Sequence, residues 1–116
     1  MKTFFVLTLV VLMNAAFQCE TSPLPIPDES KYCSNVDWLR AIITSAQQNS
    51  TKAEVIRYQY KGETVYINTC IDCADSMAQV YNCSGEVICQ FGGIAGFNTC
   101  PDFEDTATQK KVIWRN

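Results

Sequence analysis

The sequence predicts an α+β domain: one N-terminal helix packed on an antiparallel sheet of about four strands, stapled by three disulfides. Three observations carry this. Val36, Leu39, Ile43 and Ala46 form an apolar stripe at helical spacing. Two alternating segments, AEVIRYQY and ETVYIN, flank the dipeptide Lys61-Gly62, a two-residue hairpin turn. Six cysteines follow residue 19, enough for three disulfides in an exported chain.

The chain has 116 residues, the size of one small domain. Lys2 supplies one early positive charge and FFVLTLVVLM an apolar run, with Ala15 and Ala16 after it. This pattern predicts a secretory signal peptide over residues 1–19. The run is far short of the roughly 20 residues of a membrane span, so a secreted, extracellular protein without a transmembrane segment is expected. Ala16, Gln18 and Cys19 are candidate last residues of the leader. Cysteine arithmetic favours a cut after Cys19, which leaves an even set: Cys33, Cys70, Cys73, Cys83, Cys89 and Cys100. Lipoprotein processing would cut before Cys19, but it wants a small residue where Gln18 stands.

Removing residues 1–19 takes Lys2 away and leaves eight basic against twelve acidic residues, a net charge of −4. That balance argues against nucleic acid as a partner, because phosphates demand a basic face. Residues 20–32 form a leader in which Pro23, Pro25 and Pro27 alternate and favour extended backbone. Residues 33–116 form the disulfide-rich domain, which is expected to be monomeric.

Within it, a helix is predicted over about 35–48, capped by Ser34. Asn49-Ser50-Thr51 follows and makes Asn49 a candidate N-glycosylation site. Asn82-Cys83-Ser84 is a second match, with disulfide formation at Cys83 in competition. The Lys61-Gly62 turn sets Tyr58 against Val65 and Ile56 against Ile67 on one apolar face. Arg57, Gln59, Thr64, Tyr66 and Asn68 fall on the other, mostly polar face. The helix stripe is expected to cover the apolar face. A second hairpin turns at Ser84-Gly85 and sets Tyr81 against Ile88 and Val80 against Cys89. Cys83 then faces Glu86, so a Cys83–Cys89 bond is not expected. The remaining connectivities among the fifteen that six cysteines allow stay open. FGGIAGF, Phe91 to Phe97, reads as a glycine-rich turn. The tail reads as a short strand or helical turn that docks Trp114 on the core.

Chemistry-bearing motifs are sparse. Cys70-Ile-Asp-Cys73 has redox spacing, but it stands among four other cysteines in an exported chain, which favours a structural disulfide. The chain has no histidine, which removes the usual Ser-His and Cys-His arrangements and weakens any zinc reading. Asp72, Asp75, Asp102, Glu104 and Asp105 are candidates for an acid/base pair, against a plain solvated loop face. FGGIAGF lacks the Gly-Lys-Ser/Thr ending of a phosphate loop. Tyr58, Tyr60, Tyr66 and Tyr81 are either a recognition surface or ordinary strand packing. No enzyme activity, cofactor or metal is expected.

The order WLRAII, IRYQYKGETVYINTC, VYNCSGEVICQFGGIAGFNTCPDF and KVIW resembles a small domain of unknown function found in secreted bacterial lipoproteins. That resemblance implies no known activity. The layout of signal, short leader and six-cysteine domain is also similar to cysteine-rich arthropod venom proteins of the scoloptoxin type. The functional expectation is a venom or gland toxin-like effector that binds an extracellular protein target. The alternatives are an extracellular binding or inhibitor module without a toxin role, and a small carboxylate-dependent hydrolase.

Overall fold

The computed structural model describes residues 28–49 and 52–116. The expected signal peptide over residues 1–19, most of the expected leader, and Ser50 and Thr51 of the first candidate glycosylation triplet lie outside the described residues. The elements run α1 (Asp37–Gln48), β1 (Ala53–Tyr60), β2 (Glu63–Cys70), β3 (Met77–Tyr81), β4 (Val87–Gly92), β5 (Phe97–Asn98), α2 (Phe103–Thr106) and β6 (Thr108–Arg115). The strands form one antiparallel sheet in the order β5-β4-β3-β2-β1-β6.

The class is α+β, but the sheet has six strands rather than about four. One extra strand is β5, only two residues long, formed where the glycine-rich turn folds back on β4. The other is β6, eight residues long, which closes the β1 edge. The sequence offers a short strand or turn here and docks Trp114 on the core, as observed, but the Thr-Gln-Lys-Lys opening hides the strand's full length. An edge strand can carry such charges because one side faces water.

The first hairpin forms in the expected register, with Tyr58 opposite Val65 and Ile56 opposite Ile67. Lys61 and Gly62 take φ values of 50° and 77°, as a two-residue turn between right-twisted strands requires. The second hairpin keeps Val80 opposite Cys89, but Tyr81 pairs with Val87 rather than Ile88. A bulge after Val80 absorbs the extra residue.

The helix covers the face that the sequence marks as polar, which corrects the expected packing. Leu39 and Ile43 of α1 are buried with Ala53, Val55, Tyr66 and Trp114. The reason lies in Arg57 and Tyr66. One guanidinium nitrogen of Arg57 donates to both Glu29 carboxylate oxygens, at 2.9 and 2.6 Å, and the Tyr66 hydroxyl donates to Glu29 at 3.0 Å. The Arg57 guanidinium also lies 3.6 Å from the centre of the Tyr32 ring. A charge brought by residue 29 thus neutralises the polar side of the hairpin, and a buried charge is tolerated only when so paired. Helix entry differs as well. Asn35, not Ser34, accepts a backbone N–H, that of Asp37, at 3.1 Å.

The apolar face is covered instead by the segment Cys100–Ala107. Phe103 packs against Tyr58, Tyr60 and Phe91 at ring-centre distances of 5.1, 4.9 and 5.5 Å. Val65, Ile67, Ala78 and Val80 complete this second core. The sheet is therefore sandwiched between α1 and the Phe103 segment.

Three disulfides fasten the layers: Cys33–Cys83, Cys70–Cys73 and Cys89–Cys100. The first ties the entry to α1 onto the β3–β4 turn. Beside it the Trp38 ring stacks on Tyr81, and its indole N–H donates to the carbonyls of Asn35 and Cys83. The third holds the Phe103 segment against β4.

Candidate binding site

Along its first half α1 is closed onto the sheet by the Cys33–Cys83 bond and Trp38. Towards its C-terminal end the helix and sheet part, leaving a cleft of about 520 Å³. Ala41, Ile42, Ser45, Ala46 and Asn49 of the helix side form one wall. Asn68 and Thr69 of β2 with Met77 and Gln79 of β3 form the other. Ala41, Ser45 and Ala46 keep most of the helix wall short, and Ile42 is its one large apolar residue among those described. Cys70 and Ser76 line its end, where the Cys70–Cys73 bond pins the β2–β3 connection.

Among the described residues the lining is half polar and carries no charge. Its polar groups are carboxamides and hydroxyls, and Cys70 is held in a disulfide. Asn68 and Gln79 stand directly opposite each other across β2 and β3, and Gln90 of β4 continues the row. Gln79 accepts the Tyr81 hydroxyl at 2.8 Å through its oxygen. Among the described residues the side chains of Asn68 and Gln90 make no hydrogen bond.

The next row on this face is Met77, Gly92 and Phe97. Among the described residues none of β4 or β5 joins the core beneath α1. Phe97 is 49% exposed and Met77 38%, while Ile94 at the tip of the β4–β5 turn is 85% exposed. Cleft and open face together form one surface, with carboxamides in one row and apolar groups in the next.

The candidate carboxylates are elsewhere and apart. Asp72 pairs with Lys52 at 3.5 Å on the surface, and Asp75 is exposed. Asp102, Glu104 and Asp105 surround α2 on the opposite side of the sheet. Asp102 accepts the Tyr60 hydroxyl at 2.6 Å and pairs with Lys61 at 3.5 Å. That hydrogen bond holds the Asp102 carboxyl below its usual range and, with burial, raises the Tyr60 phenol. Glu104 and Lys110 border a smaller groove of about 330 Å³ against Tyr58, Phe91 and Phe103. Among the described residues no group of three or more Cys, Asp or Glu is placed to hold a metal.

The four tyrosines divide between the two sides and pack as strand residues. Tyr66 and Tyr81 surround Trp38, and Tyr58 and Tyr60 surround Phe103. Burial first, then the Glu29 carboxylate, pushes the Tyr66 hydroxyl above the ordinary phenol range. Of the two glycosylation triplets, Asn82 is committed: its side-chain oxygen accepts the N–H groups of Ser84 and Glu86, both at 3.0 Å. Asn49 is exposed at the end of α1, on the rim of the cleft.

The fold and cleft define a small α+β domain, held by three disulfides, with an uncharged recess between helix and sheet. The chain belongs to the family described as Domain of unknown function (DUF6970), matched over residues 41–116. No curated protein and no solved structure matches it. The matched span begins inside α1, so Glu29, Cys33 and Trp38 all precede it. Among the described residues no helix is long and apolar enough to cross a membrane.

Proposed function

We propose that this protein is a secreted, disulfide-stapled binding protein that engages an extracellular target through the open part of the helix side of its sheet. A venom or gland effector is one instance of this reading, and a binding or inhibitor module without a toxin role is another. One observation carries it: Met77 and Phe97 are exposed beside a cleft whose polar groups are uncharged. Large apolar side chains gathered around polar groups mark recognition sites on exported scaffolds. The cleft offers hydrogen bonds and apolar contact, and among the described residues its hydroxyls have no carboxylate or amine in the lining to activate them, which favours binding over turnover. Asn49 is the glycan acceptor in this reading: it is exposed, whereas Asn82 is half-buried, holds two N–H groups of its own turn and precedes the disulfide-bonded Cys83.

The test is position-dependent capture. A photo-crosslinking residue replaces Phe97 in one sample and Lys111, on the opposite edge strand, in another. Each is exposed to the extracellular fluid into which the protein is released. A covalent product at position 97 and none at 111 is the expected result. Equal capture at both positions, or none at 97, overturns the assignment of this face.

A further inference from the structure

Resting on that reading, we infer that the row Asn68-Gln79-Gln90, with Phe97 beside it, is a binding site for an uncharged oligosaccharide. A carboxamide presents one donor and one acceptor side by side, which matches a pair of adjacent sugar hydroxyls. Neighbouring strands are roughly 4.8 Å apart, comparable to one sugar unit, so the row offers one carboxamide per sugar along a chain crossing the strands. Asn68 and Gln90 have their full side-chain hydrogen-bonding capacity free among the described residues. Among the same residues the Gln79 amide nitrogen is free while its oxygen accepts the Tyr81 hydroxyl.

Phe97 supplies the second requirement. It stands on the same face, beside Gly92 and Met77, with its ring about half exposed. A sugar ring turns its C–H groups to such an aromatic face while its hydroxyls reach the carboxamides. Gly92 keeps the floor between Phe97 and Met77 flat. A Cβ there would stand 3.0 Å from the carbonyl oxygen of Ser76. Among the described residues no ionisable side chain lines the cleft, so an acidic glycan finds no counter-charge there. A strand-adding peptide is the poorer fit at this site: the edge that borders it is β5, which offers only two residues, while the eight-residue edge β6 lies at the far side of the sheet.

The experiment is calorimetric titration of the full disulfide-bonded chain with cellohexaose, mannohexaose and chitohexaose, and with hyaluronan as the acidic comparison. The variants Asn68→Ala, Phe97→Ala and Lys111→Ala are titrated alongside. Binding to at least one neutral oligosaccharide but not to hyaluronan is expected. Asn68→Ala and Phe97→Ala each weaken it roughly tenfold or more at unchanged thermal stability, and Lys111→Ala leaves it unchanged. No neutral sugar bound, or equal binding by all variants, overturns the inference. If sugars fail while position 97 still captures a target, the glycan assignment falls and the binding reading stands. If both fail, the reading itself falls.

Discussion

Gly85 lies under the ring of Trp38: a Cβ at position 85 would stand 2.7 Å from Trp38 Cγ and 2.9 Å from Cδ2. Its φ of 79° is also left-handed, so the turn needs glycine twice over, for conformation and for space. Gly85→Ala is expected to cost about 2–4 kcal/mol, from backbone strain and overpacking together. Urea unfolding measures it, and near-ultraviolet circular dichroism shows whether Trp38 leaves its stack on Tyr81.

The three disulfides are expected to differ in worth. Cys33–Cys83 closes 50 residues, Cys89–Cys100 closes 11 and Cys70–Cys73 only 3. Loop-closure entropy then assigns them about 4, about 3 and under about 2 kcal/mol. Alanine pairs at each bridge, compared by denaturant midpoint, should lose stability in that order. An equal loss at all three would show that chain entropy is not what they supply.

Glu29→Ala is expected to destabilise by about 3–5 kcal/mol, because Arg57 would keep a buried charge without its partner. The double variant Glu29→Leu, Arg57→Met should recover much of that loss. Thermal unfolding of the single and double variants gives the comparison.

Asp102 sets an acid limit. Its folded carboxyl titrates below the ordinary value near 4, held there by the Tyr60 hydroxyl. Its contribution is therefore complete above that ordinary value and disappears as pH falls through the lower, folded one. Asp102→Asn removes the titration. The stability gap between wild type and variant should be constant from neutral pH to about 5, and shrink as the pH falls below about 4.

Local pattern made much of the fold readable. The α1 stripe and the Lys61-Gly62 hairpin are periodic over short distances, and both form where their residues place them. What pattern could not show was which side of the hairpin α1 would cover. Tyr66 counts as polar in an alternation, yet its ring is fully buried and its hydroxyl finds Glu29, 37 residues earlier. Likewise β6 opens with Gln109, Lys110 and Lys111, and register shifts against β1 break its alternation. The candidate site was harder to see. Asn68, Gln79 and Gln90 are ordinary residues in sequence and become a row only when three strands are in register. The carboxylates were conspicuous in the sequence because they are charged, but the fold splits them between the β2–β3 connection and α2.

The most direct test of the binding face is to follow the side-chain NH2 resonances of Asn68, Gln79 and Gln90 by nuclear magnetic resonance, in ¹⁵N-labelled, disulfide-bonded protein. The titrant is the neutral oligosaccharide that binds best. Saturable shifts in these three groups are expected, with the Phe97 amide moving alongside and the Phe103 side of the sheet still. Shifts centred on Tyr58, Phe103 and Lys110, with the carboxamides unmoved, would contradict the assignment of this face.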